Sequence, residues 1–424
     1  MVSYKDFEKV LLDELKQALG CTEPIAIALC GAKVREYLSS KPMDIEVYCS
    51  KNIIKNAWSV LVPNSQGMKG ILTAVSLGIV GGDASKNLRV LEDISNEDIE
   101  KAKELIENKI IKTHVAEVPN MLYIRIEAVT ANEEVTVVIE DSHDNFTFIK
   151  VNDEVVFEKD NDKNISEVED RSFLSVKSII DFADNVNFED IPELIERLDL
   201  QIKSNMEIAK RGLREEYGAM IGQIIKQTSK GSVEDEIKSM TCSASDARMG
   251  GCSLPVVINS GSGNQGITTS VPVIVFCEKE NISKERLYRG LMVSNLIAIY
   301  QKYYIGKLSA FCGAVSAGSA AACAIGYLIG LDEEKIESIL TNALATSGGI
   351  VCDGAKASCA SKIAVALDNG LLALEMAKRG IEFEYMDGIV GNNCDTTVKN
   401  IGKMASEGMK DTDDKILEIM LEEN

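Results

Sequence analysis

From about residue 171 onward, apolar residues recur at helical spacing. This predicts helices over 173–184, 190–226, 233–249, 265–279, 284–304, 311–330, 333–346, 357–378 and 412–422. Residues 5–38 also read as helix, with a break at Gly20-Cys21-Thr22-Glu23-Pro24. Thr22 can cap and Pro24 can sit in a first turn, so Cys21 falls at or just before a helix start. Between 44 and about 160 the pattern changes. Residues 45–49, 122–129, 134–140, 146–151 and 154–157 alternate as strands, and Asn152-Asp153 makes a hairpin turn. Residues 67–78 form a small-residue helix and 96–108 a polar amphipathic one. The fold class is α+β: a mostly helical catalytic domain with an inserted α/β domain holding a largely antiparallel sheet. The expected division is 1–41, N-terminal helices packing with the C-terminal helical domain; 42–170, the α/β domain; and 171–424, the helical domain. A polar linker covers 159–168. The long polar helix over 190–226 reads as a surface or subunit-contact element, which would suit a homo-oligomer.

Charge and composition narrow the function. The net charge is −21, so no basic face of nucleic-acid-binding size is available and a polyanionic substrate is disfavoured. The N-terminal stretch is amphipathic and lacks an apolar signal core, which points to a cytoplasmic protein. Residues 308–331 carry no charge, long enough for a bilayer span, but 14 of these 24 positions are Ala, Gly or Ser. They are read as a buried helix, with no membrane association.

The chain has eleven cysteines, and a reducing compartment argues against a disulfide framework. Cys30, Cys49, Cys277 and Cys323 sit among apolar residues and read as small core side chains. Cys242 and Cys252 flank a glycine turn, and Cys394 is polar-flanked. Cys352 and Cys359 stand apart. Seven residues of helix would rise about 10.5 Å, too far for two thiolates on one compact centre. The segment between must leave the helix, with Gly348, Gly349 and Gly354 supplying freedom. Cys312 offers a third thiolate at another loop-to-helix junction. Three cysteines suit either an iron–sulfur cluster with one open iron or a zinc site.

Five segments carry a resemblance. They are Gly20-Cys21-Thr22-Glu23-Pro24-Ile25-Ala26, Pro63-Asn64-Ser65-Gln66-Gly67, Gly261-Ser262-Gly263-Asn264-Gln265-Gly266, Ser309-Ala310-Phe311-Cys312-Gly313, and Gly348 through Cys359. In this order they resemble the L-cysteine desulfidase family, which is related to the iron–sulfur-dependent L-serine dehydratases. The resemblance implies a [4Fe–4S] cluster on Cys312, Cys352 and Cys359 and a catalytic base at Cys21. It also implies a lyase that needs no pyridoxal phosphate and converts L-cysteine to pyruvate, ammonia and sulfide.

The residues support such a mechanism. A thiolate at Cys21 could take the Cα proton if the helix start lowers its pKa. Thr22 and Glu23 stand beside it. The loops Asn64-Ser65-Gln66 and Asn264-Gln265 each precede a helix and could bind the substrate carboxylate. His143, in Asp141-Ser142-His143-Asp144-Asn145, is a turn histidine or a substrate contact; His114 starts a strand and receives no role. Lys307 and Lys356 flank the thiolates. Three other readings stand: a serine dehydratase, a non-catalytic iron–sulfur sensor or cluster carrier, and a structural zinc site.

Overall fold

The computed structural model describes residues 3–159 and 170–422, so the expected linker, beyond Lys159, lies outside the described residues. The chain opens with α1 (Tyr4–Glu14), where Ser3 N–H donates to Asp6 at 2.6 Å. A short strand, β1 (Gln17–Leu19), precedes α2 (Thr22–Arg35). Helix α2 is apolar on all sides and almost wholly buried.

The α/β part runs β2 (Asp44–Cys49), α3 (Lys51–Ala57), α4 (Gly70–Gly81), α5 (Asn96–Glu107), β3 (Ile111–Val115), β4 (Tyr123–Val129), β5 (Glu134–Glu140), β6 (Phe146–Val151) and β7 (Glu154–Glu158). The strand order is β3-β2-β4-β5-β6-β7, parallel only between β2 and β3. That parallel pair is joined through α3–α5, as a crossover requires. Alternation on β4 sends Ile124, Ile126 and Ala128 inward, toward α2.

Helix α4 lies against α2 at backbone contact distance. A Cβ built on Gly78 would stand 2.2 Å from the Ala28 carbonyl oxygen. Gly78→Ala should therefore cost about 3 kcal/mol, by forcing the two helices apart. Urea unfolding checks this, and a loss below about 1 kcal/mol would show that the pair can slide freely.

The helical part comprises α6 (Val176–Asn185), α7 (Pro192–Arg214), α8 (Ile221–Thr228), α9 (Val233–Met249), the strand β8 (Pro255–Val257), α10 (Gly263–Lys279), α11 (Lys284–Ile305), α12 (Gly313–Leu328), α13 (Glu333–Ser347), α14 (Cys359–Lys378), α15 (Cys394–Lys403) and α16 (Lys410–Glu422). Helix α12 is the hub, packed by α10, α11, α13 and α14. Its run of Ala, Gly and Ser admits those neighbours closely and accounts for the uncharged stretch. Among the described residues no helix is long and apolar enough to cross a membrane.

Three expectations change. The helix expected over 190–226 breaks at 215–220, where Gly218 and Met220 adopt left-handed backbone. Nor is α7 a surface element throughout. Its fully buried Asn205 accepts from Val257 N–H at 2.8 Å and donates to the Gly266 carbonyl at 3.1 Å, fixing β8 against α10. The N-terminal segment also divides. Helix α1 packs on α7 and α11, and β1 pairs antiparallel with β8, whereas α2 packs chiefly on α4 and the sheet. The Cys21 turn thereby reaches the junction of the two parts.

Candidate active site

Cys312 is the residue before α12, and Cys359 is the first residue of α14. Phe311 and Val351 form an isolated antiparallel bridge. Across it, Cys312 N–H donates to the Ile350 carbonyl at 3.0 Å and Cys352 N–H to the Ala310 carbonyl at 2.7 Å. Backbone pairing thus sets Cys312 opposite Ile350 and Cys352 opposite Ala310, which leaves the two cysteines diagonal to each other across the bridge. The segment from Cys352 to Cys359 is not helical, but of the three glycines invoked only Gly354 takes a positive φ, at 92°. A Cβ there would lie 2.8 Å from the Lys55 carbonyl oxygen, so the loop turns tightly against α3. Lys55, itself buried, donates to the Cys352 carbonyl at 3.2 Å and pairs with Asp413 of α16.

All three thiols line one cavity of about 90 Å³. Burial pushes the Cys312 thiol up to about 12, and the neighbouring Cys352 adds to this. Burial raises Cys359 too, against the Lys356 N–H that its sulfur accepts at 3.4 Å. Metal uptake would therefore release protons. Among the described residues no three His, Cys, Asp or Glu groups converge closely enough to grip a single metal ion. A cluster asks for less convergence, because each thiolate binds a different iron. Three thiols on one cavity, at two helix amino ends, form a donor set that suits such a group.

Cys21 lies immediately behind. It precedes α2, is 1% exposed, and packs with Val60 and Met249 in a small cluster that touches Ala355 and Cys359. Its sulfur is 4.0 Å from that of Met249. The helix start does not lower its pKa as expected. Burial pushes the thiol up to about 12, with Glu23 and Cys359 raising it further and Arg248 pulling the other way. Gly20, at φ 63°, makes the sharp turn into Cys21, and a Cβ there would meet the Pro63 ring at 2.9 Å.

Thr22 and Glu23 line the cavity. Thr22 donates to the Gly261 carbonyl at 2.9 Å, tying the two halves together. Glu23 accepts from the Asn56 amide at 2.9 Å. Burial works against its ionisation, yet His143 and Asn56 outweigh that and hold the carboxyl at about 2. His143 Nε2 stands 3.7 Å from the Glu23 carboxylate, a long contact, and makes no shorter hydrogen bond among the described residues. The His143 ring presses on Gly261 and borders a larger cavity of about 460 Å³, which shares Lys307 and Leu308 with the first.

Asn264 and Gln265, in the first turn of α10, also line the thiol cavity. The buried Gln265 Oε1 has no partner among the described residues, and its amide lies against Gly313. The Asn64-Ser65-Gln66 loop is not brought to the cavity. Asn64 donates to the Leu91 carbonyl at 2.8 Å, Ser65 to the Val62 carbonyl at 2.7 Å, and the exposed Gln66 to Asn96 at 2.9 Å. This loop braces the Cys21 turn from behind through Pro63. Cys394 is buried at the start of α15 and does not line the cavity.

The family model for the serine dehydratase alpha chain matches residues 85–418. The chain belongs to this family. Similar along their whole length are UPF0597 proteins of Finegoldia magna (44% identical, 99% of this chain and 100% of that one) and Lachnoclostridium phytofermentans (44%, 99% and 100%). A UPF0597 protein of Treponema denticola is 43% identical over 99% of this chain and 98% of its own. The serine dehydratase alpha-chain family is associated with iron–sulfur-dependent dehydratases, and membership gives the chain a lyase-type role. The matched span contains all three cavity thiols, while Cys21, Thr22 and Glu23 precede it and fall within the stretch aligned with the full-length relatives.

Two cations of this dehydratase-family site were missed from sequence. Arg248, 4% exposed, sits in the last turn of α9, and its Nε donates to the Gly20 carbonyl at 3.0 Å. Lys302, also 4% exposed, sits in the last turn of α11. Burial brings its ammonium down to about 8, with Cys352 and Cys312 pulling it back up. The available signal was a charge interrupting an otherwise uncharged helical run, 290–301 before Lys302.

Proposed function

We propose that this enzyme is an L-cysteine desulfidase that holds a [4Fe–4S] cluster on Cys312, Cys352 and Cys359 and eliminates sulfide from its substrate. The observation that carries the reading is the convergence of these thiols on one cavity, with Cys21 packed directly behind Cys359. When bound, the cluster supplies a Lewis acid suited to a sulfur leaving group.

The chain's own residues account for the rest. Arg248 faces the cavity beside Cys21 and is placed to pair with the substrate carboxylate. Glu23, ionised and steadied by Asn56, is placed to hold the substrate ammonium. Cys21 takes the Cα proton; the Cα–Cβ double bond forms as the Cβ–S bond breaks, and sulfur leaves with the electron pair. The aminoacrylate tautomerises to an imine, and water hydrolyses this to pyruvate and ammonia. Burial of the cavity walls keeps bulk water from the proton transfer.

Two expected outcomes follow. Glu23→Gln removes the ammonium's charged partner, so KM should rise roughly thirtyfold, about 2 kcal/mol. An unchanged KM would place the ammonium elsewhere. If Cys21 must be a thiolate, its pKa of about 12 leaves it mostly protonated at neutral pH. Then kcat should climb about tenfold per pH unit between pH 7 and 9. A plateau by about pH 8.5, the range of an ordinary thiol, would contradict a buried Cys21 base.

The serine dehydratase reading differs only in the leaving group. Sulfide release from L-cysteine, measured beside pyruvate formation from L-serine, separates the two. The desulfidase reading requires the higher kcat/KM on cysteine, and faster turnover of serine overturns it.

A further inference from the structure

Lys302 is a buried ammonium facing the thiol cavity, and among the described residues its Nζ has neither a hydrogen-bond acceptor nor an ion-pair partner. The other cations around the cavity are engaged. Lys307 pairs with Glu14 at 3.0 Å, Lys362 pairs with Asp353, Lys356 donates to Ser59 at 3.1 Å, and Arg248 donates to the Gly20 carbonyl. Asp413 and Glu14 act on this ammonium without forming an ion pair with it, and a buried charge with no direct partner is expensive, so its place in the cavity wall points to an anion held within the cavity.

Two anions would share this cavity, the cluster and the substrate carboxylate. Lys302 lines the cavity together with Cys312 and Cys352 and feels both thiols, along with Asp413 and Glu14, whereas Arg248 acts on Cys21 and Cys359. Lys302 also lies on α11, which packs along α12, the helix that Cys312 begins.

We propose that Lys302 is the counter-ion of the cluster-bearing thiolates Cys312 and Cys352, a positioning residue that retains the cluster and sets its potential, and that it is not a substrate ligand. This rests on the cluster reading above. A cluster with three thiolates carries net negative charge, which grows on reduction. A fixed cation beside it favours both retention and the reduced state.

The test compares anaerobically reconstituted full-length wild type, Lys302→Met and Lys302→Arg. The readouts are iron per chain, iron loss to a chelator, and the one-electron midpoint potential. Lys302→Met should lose iron at least tenfold faster, and its potential should fall by about 59 mV or more, a tenfold change in the redox equilibrium. Lys302→Arg should restore both. If Lys302→Met does not fold, Lys302→Gln makes the same charge change. A neutral variant with wild-type iron loss and potential overturns the proposal, and so does one that alters only KM for cysteine. An arginine variant that behaves like the neutral one shows that shape, not charge, is at stake, and also overturns it. A wild-type chain that takes up no iron overturns the cluster reading itself, and this proposal with it.

Discussion

Replacing Cys352 with serine should leave the chain folded, strip its iron, and lower turnover by roughly a thousandfold, about 4 kcal/mol of barrier. The same holds for Cys312→Ser and Cys359→Ser. Serine keeps the shape but replaces a soft thiolate with a hard, weakly acidic hydroxyl that iron in a cluster binds poorly. The fold should survive because the local structure is held by the main chain: the bridge at Phe311 and Val351, the Cys312 and Cys352 amide bonds, and the contact of Lys55 with the Cys352 carbonyl. None of these uses a thiol. Cys277, buried in α10 and absent from the cavity lining, provides the control, and Cys277→Ala should retain iron. Iron content and visible absorption, read beside circular dichroism, check this. Full iron in any of the three serine variants would remove that cysteine from the donor set.

Cys21→Ala should give the complementary result: iron retained and turnover lost, again by roughly a thousandfold. Cys21 packs against Met249 and Val60 and touches Cys359, but it does not line the thiol cavity among the described residues. On the proposed reading its removal takes away the proton acceptor and not a cavity-lining thiol. A sensor or cluster carrier would show no dependence on Cys21. Loss of iron together with activity would make Cys21 part of the cluster's support, and unimpaired turnover would exclude it as the base.

Much of this arrangement was legible along the chain. The helix expected over 233–249 matches α9, and the strands expected over 134–140 and 146–151 match β5 and β6, because long apolar periodicities survive tertiary packing. The α+β class follows from them. Strands β1 and β8 have three residues each, too few to show alternation, yet their pairing brings the Cys21 turn to the helical part. The break after α7 depends on a left-handed Met220, a conformation that no local rule assigns to methionine.

At the site, the Cys352–Cys359 spacing correctly demanded a non-helical loop. Chain position could not tell which Asn/Gln loop faces inward. Asn264 and Gln265 line the cavity, while Asn64, Ser65 and Gln66 hold their own turn and α5. The Cys21 pKa went the other way for a related reason: a helix start is a local influence, burial is a tertiary one, and here burial is larger. Arg248 and Lys302 were passed over because a charged residue on a helix is most often solvated. Only the packing of α9 and α11 around the cavity turns them inward.

The most direct test of the central claim is iron and acid-labile sulfide analysis of the anaerobically reconstituted chain. The account predicts about four iron and four sulfide per chain, as one [4Fe–4S] cluster requires. Zinc in place of iron, or iron without labile sulfide, would contradict it.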